Sequence, residues 1–348
     1  MKYNNILVFC LFLTCVSCKE NGVTSISAFN DVRKIEDYEI LYSDKNDPWG
    51  PVTDIEIVDS ILVIKHANDN YHFSFIDVNE NEILCRWGTI GEGPSEFLDF
   101  GSGFMVKDSR LVFLDRMKKQ LNYVSIPEIV KDEEGSLDII KESYPYTVDF
   151  RPFRISVIGK KKIAVGAFKE GHFGVLDSCN NIIPNISEDP FNNSEIQGLY
   201  RGILYQSEIK INNKQAKFVM STFASDIFEI YNVSVDSINR AYMSPFKYIP
   251  QIWKKGESYA IEPEKSIAGL RNLAVSDDLI CFTFSLQSYN EAAKNDFASN
   301  ELLCFNWDGE KVKKYILPFS ITKFCIDQLY IYGIAYQNEE TIVYRFKL

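Results

Sequence analysis

Histidine is the scarcest informative residue: there are three, His66, His72 and His172, in 348 residues. A metal site built on imidazole needs three or four converging ligands, and no third partner is in sight for His66 and His72, which flank "ANDNY". As ordinary loop or hairpin residues they need no metal, and no metal is expected. Without a histidine paired to a nucleophile, a serine-type hydrolase has little support, and "FGSGF" at 100–104 lacks the strand–turn–helix setting of a nucleophilic elbow. No Lys/Arg cluster is longer than Lys160-Lys161-Lys162, and 37 basic residues against 48 acidic ones leave a formal charge of −11. Phosphate backbones are bound by basic faces, so nucleic acid is excluded as a partner. There is no C-x-x-C, and helical periodicity is almost absent.

A long apolar run is also missing. The longest, "ILVFCLFLTCVSC" at 6–18 behind Lys2, falls short of a bilayer span and has the shape of a signal-peptide core. Cys18 after Val16-Ser17 resembles a bacterial lipobox, in which the cysteine is lipidated and becomes the new N-terminus. Cys15 stands where such boxes usually carry Leu. An ordinary secretory signal, or lipidation at Cys15, are the alternatives. The expected organisation is a signal peptide over 1–17, a lipid-attached linker over 18–36 and one folded domain over 37–348, with acyl chains as the only membrane anchor. Of eight cysteines, Cys10, Cys15 and Cys18 lie in the leader. Five remain, an odd number, and Cys281, Cys304 and Cys325 sit in apolar strands where free thiols act as small hydrophobes. Buried thiols are the default expectation, and Cys281–Cys304 is the one pair that two strands of a sheet could join.

What is present is β structure with a repeat. A composition 46% hydrophobic and 14% aromatic supports a large core. Short runs of β-branched and aromatic residues recur from about residue 37 onward. One unit returns: an apolar strand, a tight polar turn and a second apolar strand. The copies are "VTDIEIVDSILVIKH", "GFMVKDSRLVFLDR", "RISVIGKKKIAVGAF", "NLAVSDDLICFTFS" and "KFCIDQLYIYGIAY", with turns near Asp59, Asp108, Gly159, Asp277 and Asp327. The turns are about fifty residues apart except for one double interval, which "SEIKINNKQAKFVMSTF" from Ser207 fills. Two further strands follow the core hairpin in several repeats, as in "FSFIDVNENEILCRWG". Four antiparallel strands per repeat, arranged radially, predict an all-β, six-bladed β-propeller. The last repeat offers three strands, so "DYEILYS" at 37–43 is expected to complete it and close the ring, removing open sheet edges.

"GTIGEGPSEF" at 88–97 joins the first unit to the second. A phosphate cradle would need amide donors, a Lys and a helix behind it, whereas this stretch has Glu92, Pro94 and a strand beyond, so it reads as a bend. The same segment resembles the G-x-G-P-x-E-F segment of the six-bladed, TolB-like propeller lipoproteins of gut Bacteroidota. "NNSEIQGLYRGILYQSEIKI" and "LLCFNWDGEKV" are similar to later blade segments of that family, and "KENG" directly after Cys18 resembles the short charged leader of surface lipoproteins of the Bacteroidota. The resemblance covers roughly residues 40–348. It implies a lipid-anchored propeller outside the cytoplasm, without an established catalytic activity.

Candidate ligand residues follow from position. Asp54, Arg154, Arg271 and Asp327 lie near the starts or turns of innermost strands, where they could face the axial opening. A mixed ring of Arg and Asp suits a polar or anionic group better than a hard cation, and it could equally close the channel with salt bridges. The segment 243–266 departs from the repeat and carries Phe246, Tyr248, Trp253 and Tyr259. It is either a binding loop or a cap on a blade. "QSYNEAAKNDFASN" at 287–300 could form a short helix or a hairpin tip. Asp59-Ser60-Ile61 and Asp236-Ser237-Ile238 resemble the O-glycosylation site of secreted Bacteroidota proteins, or are plain turns.

The functional expectation is a non-catalytic, monomeric envelope lipoprotein that binds a glycan, peptide or envelope protein through loops on one propeller face, with no catalytic residue and no cofactor. A metal-assisted propeller hydrolase and a purely structural envelope component are the alternatives.

Overall fold

The computed structural model describes residues 25–45, 49–67, 70–98, 103–131, 137–169, 171–183, 196, 199–256 and 258–348. The leader, Cys18, "KENG" and parts of "ANDNY" and "FGSGF" lie outside them.

The chain folds as a six-bladed β-propeller. Blade 1 is Val52–Val58, Ile61–His66, Phe73–Asp77 and Glu82–Trp87, in that order from the axis outward. Blades 2 to 4 repeat this order with innermost strands Phe104–Lys107, Phe150–Ile158 and Ser207–Asn212. Blade 5 starts at Ile267–Val275 and blade 6 at Lys323–Ile326. The core hairpins turn on residues with positive φ, among them Asp59 (51°), Asp108 (49°) and Gly159 (54°), the conformation that Asp and Gly tolerate best.

The apolar residues form one layer at each blade junction. Because successive side chains of a strand point to opposite faces, Leu62 and Ile64 of blade 1 enter the layer shared with blade 6, while Val63 between them enters the layer shared with blade 2. The same division recurs around the ring. Leu111 and Phe113 pack toward blade 1, and Val112 and Leu114 pack toward blade 3. The two central strands of a blade are therefore apolar on both faces, which is why their sequences run as "ILVI" and "LVFL" rather than alternating with polar residues.

Ring closure follows the expectation from the sequence. Tyr38–Ser43 pairs antiparallel with Glu340–Lys347 as the outermost strand of blade 6. Asp44 then secures the junction, accepting from Thr341 N at 2.6 Å and Trp49 N at 3.0 Å. Part of the stretch expected as a linker is packed: Val32–Lys34 adds a parallel fifth strand to blade 5, and Ile26 and Ile35 are buried against that blade. Its β-branched residues fit the open edge of the long strand Lys311–Ile321, which a polar linker would leave unpaired.

Cys281 and Cys304 face each other on adjacent strands of blade 5, with Cα atoms 4.3 Å apart, and are joined by a disulfide. This corrects the default expectation of buried thiols for that pair, since directly opposed strand positions bring two Cβ atoms within bridging reach. Cys325 remains a buried thiol. "GTIGEGPSEF" forms the crossing from the outer edge of blade 1 to the axis. Gly91 and Phe97 close the bend through backbone bonds, the Glu96 carboxylate takes the Gly93 amide at 2.8 Å, and Lys118 and Lys141 donate to the carbonyls of Glu96 and Pro94. The loop's polar groups are thus used internally, and Phe97 is driven into the layer between blades 1 and 2.

Candidate functional site

The innermost strands bring charged side chains together at the axis. Arg154 of blade 3 donates to Asp54 of blade 1 at 2.7 Å, and its Nη1 lies 3.8 Å from Glu208 of blade 4. Lys210 of blade 4 lies 3.4 Å from Asp54 and contacts Glu56. Blade 2 stands between blades 1 and 3, and it lets this contact through because it places Gly103 at the axis. A Cβ there would lie 2.5 Å from Asp54 Oδ2 and 2.6 Å from Arg154 Cζ. Phe104 N, next in the chain, donates to Asp54 at 3.0 Å.

Burial and charge compete within this network. Burial alone would raise the Asp54 carboxyl, but Lys210, Arg154 and Lys323 together hold it well below the usual carboxylate range. Burial likewise works against the Lys210 ammonium, and Asp54 and Glu56 overcome it, so its pKa rises. Glu56 is raised by burial and by the neighbouring Asp54 despite its contact with Lys210.

Above this network, at the end where the innermost strands begin, lies a cavity of about 200 Å³ walled by Gly103, Arg154, Glu208, Phe223, Arg271 and Lys323. Arg271 is held between two rings, its Cζ 4.1 Å from the centroid of Phe223 and 4.0 Å from that of Phe297. Phe297 is braced in turn by Tyr289, with ring centroids 4.8 Å apart. Burial lowers the Arg271 pKa, opposed by Tyr289 and Glu208. Arg271 Nη1 is shielded from solvent and has no hydrogen-bond partner among the described residues. Lys323 donates to Asn272 Oδ1 at 2.9 Å, and burial lowers its pKa against the pull of Glu208 and Asp54.

A second, wider recess of about 560 Å³ adjoins this cavity, sharing Thr53 and Lys323 as walls. Val52, Ile334, Tyr336 and Phe297 supply its apolar and aromatic surface, and Asp296 and Glu339 stand on its rim. Asp296 and Phe297 occupy the left-handed region (φ 50° and 57°), as do Asn338 and Glu339 (52° and 67°). Non-glycine residues reach that region at some cost, a strain that clusters at sites of function.

The candidates read from the sequence separate by position. Arg154 and Arg271 meet in the axial cavity. Asp327 sits at the opposite end, where it holds the blade 6 turn by accepting from the Leu329 and Tyr330 amides, both at 2.7 Å, and the Tyr332 hydroxyl. Residues 247–248 are tied down by Asp226, which accepts from the Lys247 and Tyr248 amides. Trp253 and Tyr259 lie on a hairpin, Ile252–Lys255 with Ser258–Ile261. Tyr259 packs there against Tyr200 of the helix Leu199–Leu204, while Trp253 is exposed, and Phe246 is half-buried on the connecting stretch. "QSYNEAAKNDFASN" contains the short helix Tyr289–Ala293, whose return carries Phe297.

His66 is buried, bonded to Ser74 Oγ at 2.9 Å and stacked on Trp49. Burial, helped by Arg86 and His72, lowers its pKa to about 4. Both Asp-Ser-Ile triplets are on turns at the end opposite the recess.

Glu208, Lys210, Lys323 and Phe297 were not singled out from the sequence. A signal did exist for Glu208: Asp54, Gly103, Arg154 and Glu208 hold the same place ahead of the turn in four successive core hairpins. Phe297 carries no such signal, because it reaches Arg271 from a connecting loop. Among the described residues no three His, Cys, Asp or Glu side chains gather as metal ligands, and no helix is long and apolar enough to cross a membrane.

The sequence profile of a family described as TolB-like 6-blade propeller-like matches residues 51–329. No curated protein matches the sequence. Among solved structures, a Bacteroides fragilis protein whose name predicts that it is exported superposes with a TM-score of 0.56 at 10% identity, covering 91% of this chain and 99% of its own. A member of the DUF4221 family from Bacteroides vulgatus gives 0.55 at 10% identity, covering 90% and 97%. At such identity the likeness is one of fold.

Proposed function

The chain belongs to the TolB-like 6-blade propeller-like family, and from that premise we propose that it is an exported, lipid-anchored binding protein without catalytic activity. Its ligand enters at the propeller face where the innermost strands begin. The observation that carries this reading is the wide recess adjoining an axial cavity, with Thr53 and Lys323 common to both. Concave sites with a few converging polar groups on mostly apolar walls are where small ligands bind. The axial carboxylates Asp54, Glu56 and Glu208 are engaged by Arg154 and Lys210, which supports binding over metal-assisted hydrolysis. Export is supported by the leader at 6–18 and by the name of the B. fragilis neighbour, and Cys18 is the residue that carries the lipid.

Thr53→Trp fills the shared wall of the recess from an exposed position. In a thermal-shift screen of short peptides and glycan fragments, a ligand that raises Tm of the wild type should lose its effect on this variant while the Tm of the free protein stays the same. Ligands that shift both proteins equally would sink the assignment of the site. In cells, fatty-acid labelling should vanish with Cys18→Ala and persist with Cys15→Ala; the reverse would move the anchor to Cys15.

A further inference from the structure

We infer that the axial cavity receives a single carboxylate group, presented by a small molecule whose apolar body lies in the adjoining recess. This rests on the binding reading above and names its ligand class.

The charge balance at the axis favours a monoanion. Asp54, Glu56 and Glu208 face Arg154, Lys210, Arg271 and Lys323 around the axis, which leaves one positive charge in excess. The deeper cations Arg154 and Lys210 have carboxylate partners, whereas Arg271 and Lys323 at the mouth form no ion pair among the described residues. A monoanion balances the site. A dianionic phosphate would bring a surplus negative charge past a rim that already carries Asp296 and Glu339.

The setting of Arg271 favours a planar anion. Phe223 and Phe297 lie against the Arg271 guanidinium and Tyr289 supports its charge, so a ligand meets the part of the edge that these three leave. That edge presents the two parallel N–H groups that match a carboxylate. Clamping the plane between rings removes the freedom that the arginine would otherwise lose on binding.

The cavity and the recess are continuous. Phe297 both covers Arg271 and walls the outer recess, so a molecule anchored at Arg271 extends past Phe297 toward Val52, Ile334 and Tyr336. The apolar and aromatic part of these walls suits an apolar body of the size of a short peptide.

The test uses the full-length chain in detergent and a panel of N-acylated amino acids and short hydrophobic peptides, each as the free acid and as the C-terminal amide, with inorganic phosphate as a further arm. Thermal shift and calorimetric titration are run on the wild type, Arg271→Gln, Lys323→Gln and Thr53→Trp. At least one acid should bind the wild type tenfold or more tightly than its amide and than phosphate, and Arg271→Gln should erase that difference while keeping the wild-type melting profile. If no acid is favoured over its amide, or if the preference survives Arg271→Gln, the carboxylate assignment is wrong. Amides that bind the wild type but not Thr53→Trp would retain the recess as a binding site while overturning the carboxylate. Binding by neither acids nor amides would overturn both readings.

Discussion

At Gly103 one absent methyl group allows blade 3 to reach blade 1. The residue has φ +87°, and its missing Cβ leaves the space in which Arg154 meets Asp54. An alanine would oppose both conditions, since it disfavours a left-handed backbone and would overlap two buried charged groups that cannot separate without losing their pairing. Gly103→Ala is expected to lower stability by about 2–4 kcal/mol, read as the shift in chemical denaturation midpoint. A loss below about 0.5 kcal/mol, the usual range for a neutral surface change, would mean that the axial contact is easily rearranged. His172 likewise shows how a residue's role depends on its surroundings. It could have been read as a ligand, yet it is buried with its Nε2 3.1 Å from Ser207 Oγ and its Nδ1 3.8 Å from Glu229.

Among the elements, the closing strand Tyr38–Ser43 shows how burial differs along a strand. Leu41 is 3% exposed in the layer between blades 6 and 1, whereas Ile40 is 55% exposed. Leu41→Ala should therefore cost about 2–4 kcal/mol, and Ile40→Ala no more than about 0.5 kcal/mol. Equal effects on the unfolding curve would show that the strand closes the ring through its backbone bonds alone. The strands were legible in the sequence because hairpin turns and β-branched runs are local signals. The hairpin 252–261 was legible only as an aromatic departure from the repeat, because its shape depends on packing against Ile196, Leu204 and Tyr205, brought in by the connection between blades 3 and 4. The pairing of Val32–Lys34 with blade 5 was not legible at all: three residues contain too little pattern, and their partner strand is far away in the chain.

For the whole molecule, the axial network ties blades 1, 3 and 4 together through Asp54, and its strength depends on pH. The folded-state pKa of Asp54 lies below its unfolded value of about 4. Its contribution is therefore intact above that value and is lost as pH falls beneath it, where the folded state must take up a proton that the unfolded chain already holds. Asp54→Asn should cost about 3–5 kcal/mol at neutral pH, because Arg154 and Lys210 lose a buried counter-charge. The variant should also lose less stability than the wild type between pH 5 and pH 3. Parallel acid profiles for the two proteins would place the acid sensitivity elsewhere.

The sequence by itself determined the repeat, the blade number, the four repeating strands of a blade and the strand that closes the ring. These rest on side-chain period and turn chemistry, which act between near neighbours and are written in order along the chain. Arg154 and Arg271 were legible as inward-facing for the same reason. Only the tertiary structure decided that Arg271 lies between Phe223 and Phe297, that Gly103 opens the path from Arg154 to Asp54, and that the Asp327 turn lies at the end away from the recess. Those outcomes depend on how far each blade is rotated and raised against the next, which is set by the packing of the apolar layers between them and has no period in the sequence.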